Sequence, residues 1–415
     1  MKNKLFLFLT LFLTSAVVFG QNKEVHTKKF IASIGKKVND YRQANPWKEK
    51  DDNWIRGTYY TGVMSMYHAT GDKGYLNQSE AFCKSINWTL PSKLGYEGAS
   101  GANLLTCGQT MLECYMAEKE NYKIINVLTH LENPEILNPV SNPLKWYYES
   151  GMRYVDGIFT GPPTLAMLYK ITGDDKYLQW MNTMVWDVYG ALYDNEEGLF
   201  YRDIKFKSGY SGKVPESWIR PDSIKFQDAR RSYVYQKTAN GKKVIWSRGN
   251  GWAIAGLARI LKYLPVKHAS YERYKAVFIK MAEELKLRQQ ENGFWYPNLE
   301  DDKDFGYKES SGTGFFTYSL AWGVNNGILS QEEYIPVIQK SWEALVSTVD
   351  EKGKVKWRQL VGGSPYKILE EDSHEYVSGI FLLAASEMYK LNLDGTSYLM
   401  KNESISFISK HTWNN

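Results

Sequence analysis

MLYKITGDDKYL, from Met167 to Leu178, reads as a helix end, a Gly-Asp turn and the start of a second helix. The glycine supplies the positive φ that closes a helix, and the aspartate caps the next one. MYHATGDKGYL, Met66–Leu76, repeats that plan. MAEKENYKII (Met116–Ile125) is a weaker version, and looser ones lie at Leu261–Tyr274, Val324–Tyr334 and Tyr389–Leu399. Six such junctions, roughly 50 to 90 residues apart, describe repeated helical hairpins.

The intervening apolar residues step by threes and fours, as in Ile55-Tyr59-Val63-Met66, Leu165-Leu168-Tyr169 and Ile254-Leu257-Ile260-Leu261. Alternation is scarce, with short strands expected only near Gly198–Asp203 and Gly353–Trp357. Hairpins of this kind stack as an open solenoid or close into a toroid. Solenoid repeats tend to be short and even, whereas these are long, uneven and interrupted by Gly-rich inserts. The pattern predicts an all-α toroid of inner and outer helices, with one cleft at the inner-helix ends.

The first 21 residues, MKNKLFLFLTLFLTSAVVFGQ, carry a basic start (Lys2, Lys4), an apolar core and small residues before Gln21. That is the composition of a cleavable export signal over residues 1–20, too short to span a membrane, and it predicts a periplasmic protein. No linker divides residues 21–415, so one domain is expected. The 415 residues include 15% aromatics and a formal charge of +5, with no Lys/Arg block. This argues against nucleic acid and a membrane as partners and allows an anionic ligand. Cys83, Cys107 and Cys114 form an odd set without metal-ligand spacing, read as buried free thiols. With no HExxH, Walker loop, GxSxG or CxxC, neither a metal nor another cofactor is expected.

Four Gly-rich, aromatic stretches open predicted inner helices: WIRGTYYTG (54–62), GASGANLLTCG (98–108), YVDGIFTGPPTLAML (154–168) and WSRGNGW (246–252). In the third, Asp156 sits between Val155 and Ile158. A carboxyl in apolar surroundings is either hydrogen-bonded or held protonated, because desolvation disfavours its charge. The first case makes Asp156 a helix cap, the second a general acid. In the fourth, Arg248 offers a forked cation for a carboxylate, or a tie to a neighbouring loop, and Trp246 and Trp252 offer stacking faces. Tyr59 and Tyr60 are either further platforms or inner-helix packing. Glu309, in KESSGTGFFTYSLAWG (308–323), and His374, in EDSHEYVSG, fit structural roles at helix starts better than catalytic ones.

Taken together, YVDGIFTGPPTLAMLYKITGD, WSRGNGWAIAGLARIL and KESSGTGFFTYSLAWGVNNGIL resemble glycoside hydrolase family 105, the unsaturated rhamnogalacturonyl hydrolases, related to the unsaturated glucuronyl hydrolases of family 88. The resemblance spans most of the chain and implies an (α/α)6 barrel. It implies hydration of a 4,5-unsaturated uronic acid, with an Asp protonating C4, water adding at C5, and the resulting hemiketal opening to release the aglycone. The family's acid matches Asp156, and its carboxylate-binding Arg matches Arg248.

Tyr154 stands where the family usually has Trp, and Ser247 where it has Gly. Asn103 falls where many relatives have a second Asp, which leaves water activation to the substrate or to Glu149. Tyr201-Arg202-Asp203 replaces a Tyr-x-His, and an Arg there favours a more anionic, sulfated sugar. The expected ligand is therefore an anionic oligosaccharide from ulvan or rhamnogalacturonan, bound by a monomer or homodimer. Two other readings stay open: a lyase or epimerase of the same fold, and a non-catalytic glycan-binding protein.

Overall fold

A computed structural model describes residues 23–47, 53–90, 101–132, 153–225 and 228–393. The chain winds as alternating outer and inner helices. Outer α1 (Lys28–Ala44) leads to inner α2 (Trp54–Thr70) and outer α3 (Lys73–Ser85). A short α4 (Gly101–Leu104) precedes inner α5 (Thr106–Ala117) and outer α6 (Tyr122–Glu132). A second short turn, α7 (Gly157–Thr160), precedes inner α8 (Pro162–Thr172) and outer α9 (Asp175–Leu192). A hairpin of β1 (Tyr193–Asp194) and β2 (Leu199–Phe200) follows. Then come inner α10 (Ser247–Tyr263), outer α11 (Tyr271–Arg288), inner α12 (Ser310–Asn325), outer α13 (Gln331–Val346) and inner α14 (Glu375–Leu391).

The inner helices pack in the cyclic order α2, α5, α8, α10, α12, α14 and back to α2, so the ring closes. Each outer helix lies against an inner neighbour, giving the toroid that the hairpins predict and the (α/α)6 barrel that the resemblance implies. The sequence dictates the division. All residues from Ile55 to Met66 of α2 and from Ser310 to Val324 of α12 are buried, as befits a helix apolar on every side. Outer helices such as α11 bury one stripe, here Tyr274, Val277, Phe278, Met281 and Leu285 among others.

The two strongest repeats have the same atomic plan. Gly71 (φ 75°) and Gly173 (φ 74°) close α2 and α8 in the left-handed conformation, which favours glycine. The Asp72 carboxylate accepts from Gly74 N at 2.8 Å, and that of Asp174 from Lys176 N at 3.0 Å. Where the ring closes, α2 and α14 approach so nearly that a Cβ on Gly379 would lie 2.5 Å from Thr58 O, and one on Gly62 2.8 Å from the Gly379 carbonyl carbon. Only glycines allow that approach.

At the far end of the ring, away from the predicted cleft, Glu113 of α5 accepts from Tyr263 Oη (2.6 Å) and pairs with Arg259 (3.3 Å) and Lys262 (3.4 Å) of α10. Both expected strand regions carry pairing: β2 lies within the first, and an isolated Val349–Val355 bridge marks the second. The three cysteines are buried and free. No helix among the described residues is long and apolar enough to cross a membrane. Residues 1–20, Glu149 and the turn after Leu393 lie outside the described residues.

Candidate active site

Because each inner helix is followed by an outer one running back, the inner helices run parallel. Their first turns gather at one mouth, where the positive ends of six helix dipoles favour an anion. Trp54, Phe159, Trp252, Phe315 and Tyr376 meet there from α2, α7, α10, α12 and α14. Trp252 lies at the centre, 4.5 Å from Phe315 and 5.0 Å from Phe159, centroid to centroid. This aromatic plug is the floor of the mouth.

Asp156 stands on the rim, directly before α7. Its backbone is held by a pairing outside any helix: Val155 N donates to Arg202 O at 3.0 Å, and Tyr154 bridges Asp203. The carboxylate does not cap α7, and Oδ2 is buried without a hydrogen-bond partner. The side chain is 19% exposed, so one edge still reaches the cleft. Burial pushes its pKa up from the ordinary aspartate value, opposed by Arg202 and then Arg248. The capping alternative therefore fails, and the environment is that of an acid held towards its protonated form.

Two guanidinium groups act on it electrostatically. Arg202 places Nε 3.9 Å from Asp156 Oδ2 and donates from Nη1 to Asp203 Oδ2 at 2.6 Å. Arg248 is buried and lies 4.5 Å over the Trp246 ring. Its Nη1 donates to Gln359 O (2.9 Å) and Tyr376 Oη (2.8 Å), and its Nη2 to Leu360 O (3.0 Å) and Gly362 O (2.9 Å). Its fork thus grips the segment 359–362, while its charge remains in the site. Asn103, on α4, accepts from Tyr154 Oη at 2.9 Å and so joins the same rim.

The remaining aromatic candidates are placed differently. Trp246 and Trp252 are each about 1% exposed and offer no face to a sugar. Trp246 donates its ring N–H to Gln359 and lies under Arg248. Tyr59 turns to the outer layer, where its hydroxyl meets Asn39 (2.6 Å) and Gln43 (3.0 Å) of α1. Tyr60 stacks on Phe82 of α3 at 4.0 Å. All four are packing residues, because inner helices are enclosed on every side. Half-buried aromatics at the mouth include Trp47 and Trp54.

Glu309 caps α12, accepting from Ser311 N (2.7 Å) and Gly312 N (2.5 Å), which is the structural role expected of it. His374 precedes α14, with its ring 4.7 Å from Trp47. Burial, then Arg358, Arg42 and Arg248, bring its pKa down to about 3. The imidazole is therefore neutral at ordinary pH, and it registers the positive potential of the mouth. Among the described residues, the carboxylate trio Glu80, Glu118 and Glu120 is close enough to hold a metal ion, but all three pair with Lys123 Nζ.

Sequence reasoning passed over the segment from Arg358 to Gly363, which works largely through backbone carbonyls. It also passed over Asp203 as the support of Arg202. The adjacency Arg202-Asp203 after a Gly198 turn was the available signal for the latter.

Comparison with known proteins agrees with this geometry. The family model described as Glycosyl Hydrolase Family 88 matches residues 26–223 and 226–392. The unsaturated 3S-rhamnoglycuronyl hydrolase of Alteromonas sp. (strain LOR) is 34% identical over 348 residues, covering 81% of this chain and 77% of the relative. A protein of the same name from Formosa agariphila is 29% identical over 363 residues, covering 86% and 89%. The solved structure named Polysaccharide Lyase BACCELL_00875 superposes with a TM-score of 0.72 at 28% identity, over 87% of this chain and 97% of its own. Motifs, closed ring and family match converge: this chain is a glycoside hydrolase belonging to Glycosyl Hydrolase Family 88.

Proposed function

We propose that the enzyme removes a 4,5-unsaturated uronic acid from the non-reducing end of lyase-generated oligosaccharides, by hydration of the C4=C5 bond. Asp156 gives its proton to C4. Positive charge develops at C5 and the ring oxygen, water adds at C5, and its released proton returns to Asp156. The hemiketal then opens and the aglycone leaves. The observation that carries this reading is the buried, uncapped Asp156 carboxyl, raised in pKa, with the Arg202 guanidinium 3.9 Å away and Arg248 also acting on its charge; both cations suit a uronate carboxylate. Asn103, tied to Tyr154, serves to orient water or a hydroxyl and not as a base.

Rhamnose is the proposed neighbouring sugar, supported by the names of both curated relatives. Arg202 at the rim favours a sulfated polymer, so ulvan is preferred over rhamnogalacturonan. With residues 1–20 read as an export signal, the reaction takes place in the periplasm. The test is loss of the unsaturated uronate's ultraviolet absorbance on lyase-treated ulvan and lyase-treated rhamnogalacturonan. Asp156→Asn is expected to abolish that loss while leaving the fold intact. Full activity in the variant would refute the assignment.

The similarity to a protein named as a polysaccharide lyase supports a second reading, elimination on intact polymer. That reaction needs a base, and the imidazole of His374, with its pKa near 3, is a poor one. A rise in absorbance on intact polymer would favour it.

A further inference from the structure

Arg202 is fixed to an unusual degree for a residue on a cleft rim. The strand just before it, β2, is clamped from α10: Asn250 Oδ1 accepts from Phe200 N (2.8 Å) and Asn250 Nδ2 donates to Phe200 O (2.9 Å). Two residues on, the Arg202 carbonyl takes the N–H of Val155, so its chain runs beside that of Asp156. The guanidinium is held by buried Asp203, which also accepts from Lys205 N at 2.9 Å and lies 3.8 Å from Lys205 Nζ. It lies flat against Gly363, where a Cβ would come within 2.9 Å of Nε and 3.1 Å of Cζ. The side chain is still 13% exposed at the mouth.

The Arg202–Asp156 spacing of 3.9 Å is a charge contact and too long for a hydrogen bond. A fixed cation at that distance favours the ionised carboxylate, the wrong state for a proton donor. The other charged groups facing Asp156 among the described residues are Arg248 and Asp203. Arg248 has both terminal nitrogens on Gln359, Leu360, Gly362 and Tyr376. Asp203 is balanced by Arg202 and Lys205. Tyr154 and Asn103 complete the rim without charge. Arg202 is the cation that opposes the raised Asp156 pKa most, and it lies 3.9 Å from Oδ2, so its hold is the one an incoming anion there offsets.

We propose that Arg202 couples substrate docking to proton loading: the uronate carboxylate, seated against Arg202, cancels that cation's hold on Asp156, which then takes up one proton from solvent. Arg202 is a carboxylate-binding residue that also positions the proton. Without substrate the Arg202 cation opposes the effect of burial on Asp156, and docking removes that opposition, so the proton is held for delivery to C4. This inference rests on the reading of Asp156 as proton donor.

The test is the pH dependence of kcat and kcat/KM for a lyase-generated disaccharide, followed by loss of ultraviolet absorbance. Activity that needs protonated Asp156 falls as pH rises through its pKa. The kcat/KM profile reports the free enzyme and the kcat profile the complex. In the wild type the descending limb of kcat/KM is expected about one pH unit or more below that of kcat. In Arg202→Gln the two limbs coincide, because the kcat/KM limb moves up. In Arg202→Lys the gap persists. A merely structural role for Arg202 would lower kcat without moving either limb. Coincident limbs in the wild type, or an undiminished gap in Arg202→Gln, would overturn the coupling. The wild-type gap decides the matter even if Arg202→Gln fails to fold. Asp156→Asn separates the two ideas. If that variant is inactive but the wild-type limbs coincide, only the coupling fails. If it is active, the proton-donor reading fails and the coupling with it.

Discussion

Arg248→Lys keeps the charge of this side chain and removes its fork, and so tests which of the two matters in the site. Four acceptors surround the two terminal nitrogens at 2.8–3.0 Å. They do not depend on Arg248 equally. Gln359 O also receives Tyr376 Oη and Arg358 Nη1, and Leu360 O also receives Tyr366 Oη. Gly362 O has no other donor among the described side chains. The substitution therefore orphans about one part-buried carbonyl, worth ~1–3 kcal/mol, and not four. The low end, ~1–2 kcal/mol, is expected because Gly362 is only half-buried. Loosening this segment also frees Gly363 from Arg202, so kcat/KM should fall about tenfold, the equivalent of ~1.4 kcal/mol. Urea denaturation gives the first figure and loss of ultraviolet absorbance the second. If stability stayed within ~0.5 kcal/mol of wild type while KM rose steeply, the fork would belong to the substrate and the loop-organising role would be wrong.

Two further substitutions probe the ring itself. Gly379→Ala puts a Cβ 2.5 Å from Thr58 O and 2.9 Å from its carbonyl carbon, both backbone atoms, so α2 and α14 must part. A loss of about 3 kcal/mol is expected in urea, and a loss of under ~1 kcal/mol would mean the helices yield freely. Glu113→Gln leaves Arg259 and Lys262 without their carboxylate and should cost ~3–5 kcal/mol near neutral pH. Burial pushes Glu113 up, but Arg259, Lys262 and His68 outweigh it and bring its pKa down to about 2. A depressed folded-state pKa stabilises above the unfolded value of 4.5 and ceases to do so as pH falls towards 2. The wild-type advantage over Glu113→Gln should therefore shrink across that window in acid-unfolding curves, and a constant difference would refute the assignment.

What the sequence made legible follows the range of the forces involved. The Gly-Asp junctions are local: a positive φ at Gly71 or Gly173 and a cap from Asp72 or Asp174 need only neighbouring residues. Those signals were enough to divide the chain into hairpins. Asp156 was legible because an acid between apolar neighbours announces a desolvated carboxyl. The sequence offered Trp246 and Trp252 as stacking faces and left Tyr59 and Tyr60 between platform and packing for a related reason; all four are buried. A helix enclosed on every side has no polar stripe to show which face meets the cleft. The ring contacts that assign Tyr59 to α1 and Tyr60 to α3 come from residues distant in sequence or carry no period of their own.

The segment around Gly362 was the least legible part, and its role explains why. Recognition through backbone carbonyls leaves no side-chain signature, since almost any residue supplies the same acceptor. Only its glycines carry information, and what they record is absence: room for Ser232 Oγ against Gly362 and for the Arg202 guanidinium against Gly363. Arg248 and Arg202 thus both meet one stretch of chain. Arg248 spends its donors on that stretch, and Gly363 leaves room there for the Arg202 guanidinium. A charged residue in a catalytic motif can act by spending its hydrogen bonds on the protein, so that a neighbouring cation, absent from the motif, is the one left facing the substrate. On the proposal that Asp156 is the proton donor, Arg202 in Tyr201-Arg202-Asp203 acts on that proton as well as on sugar preference.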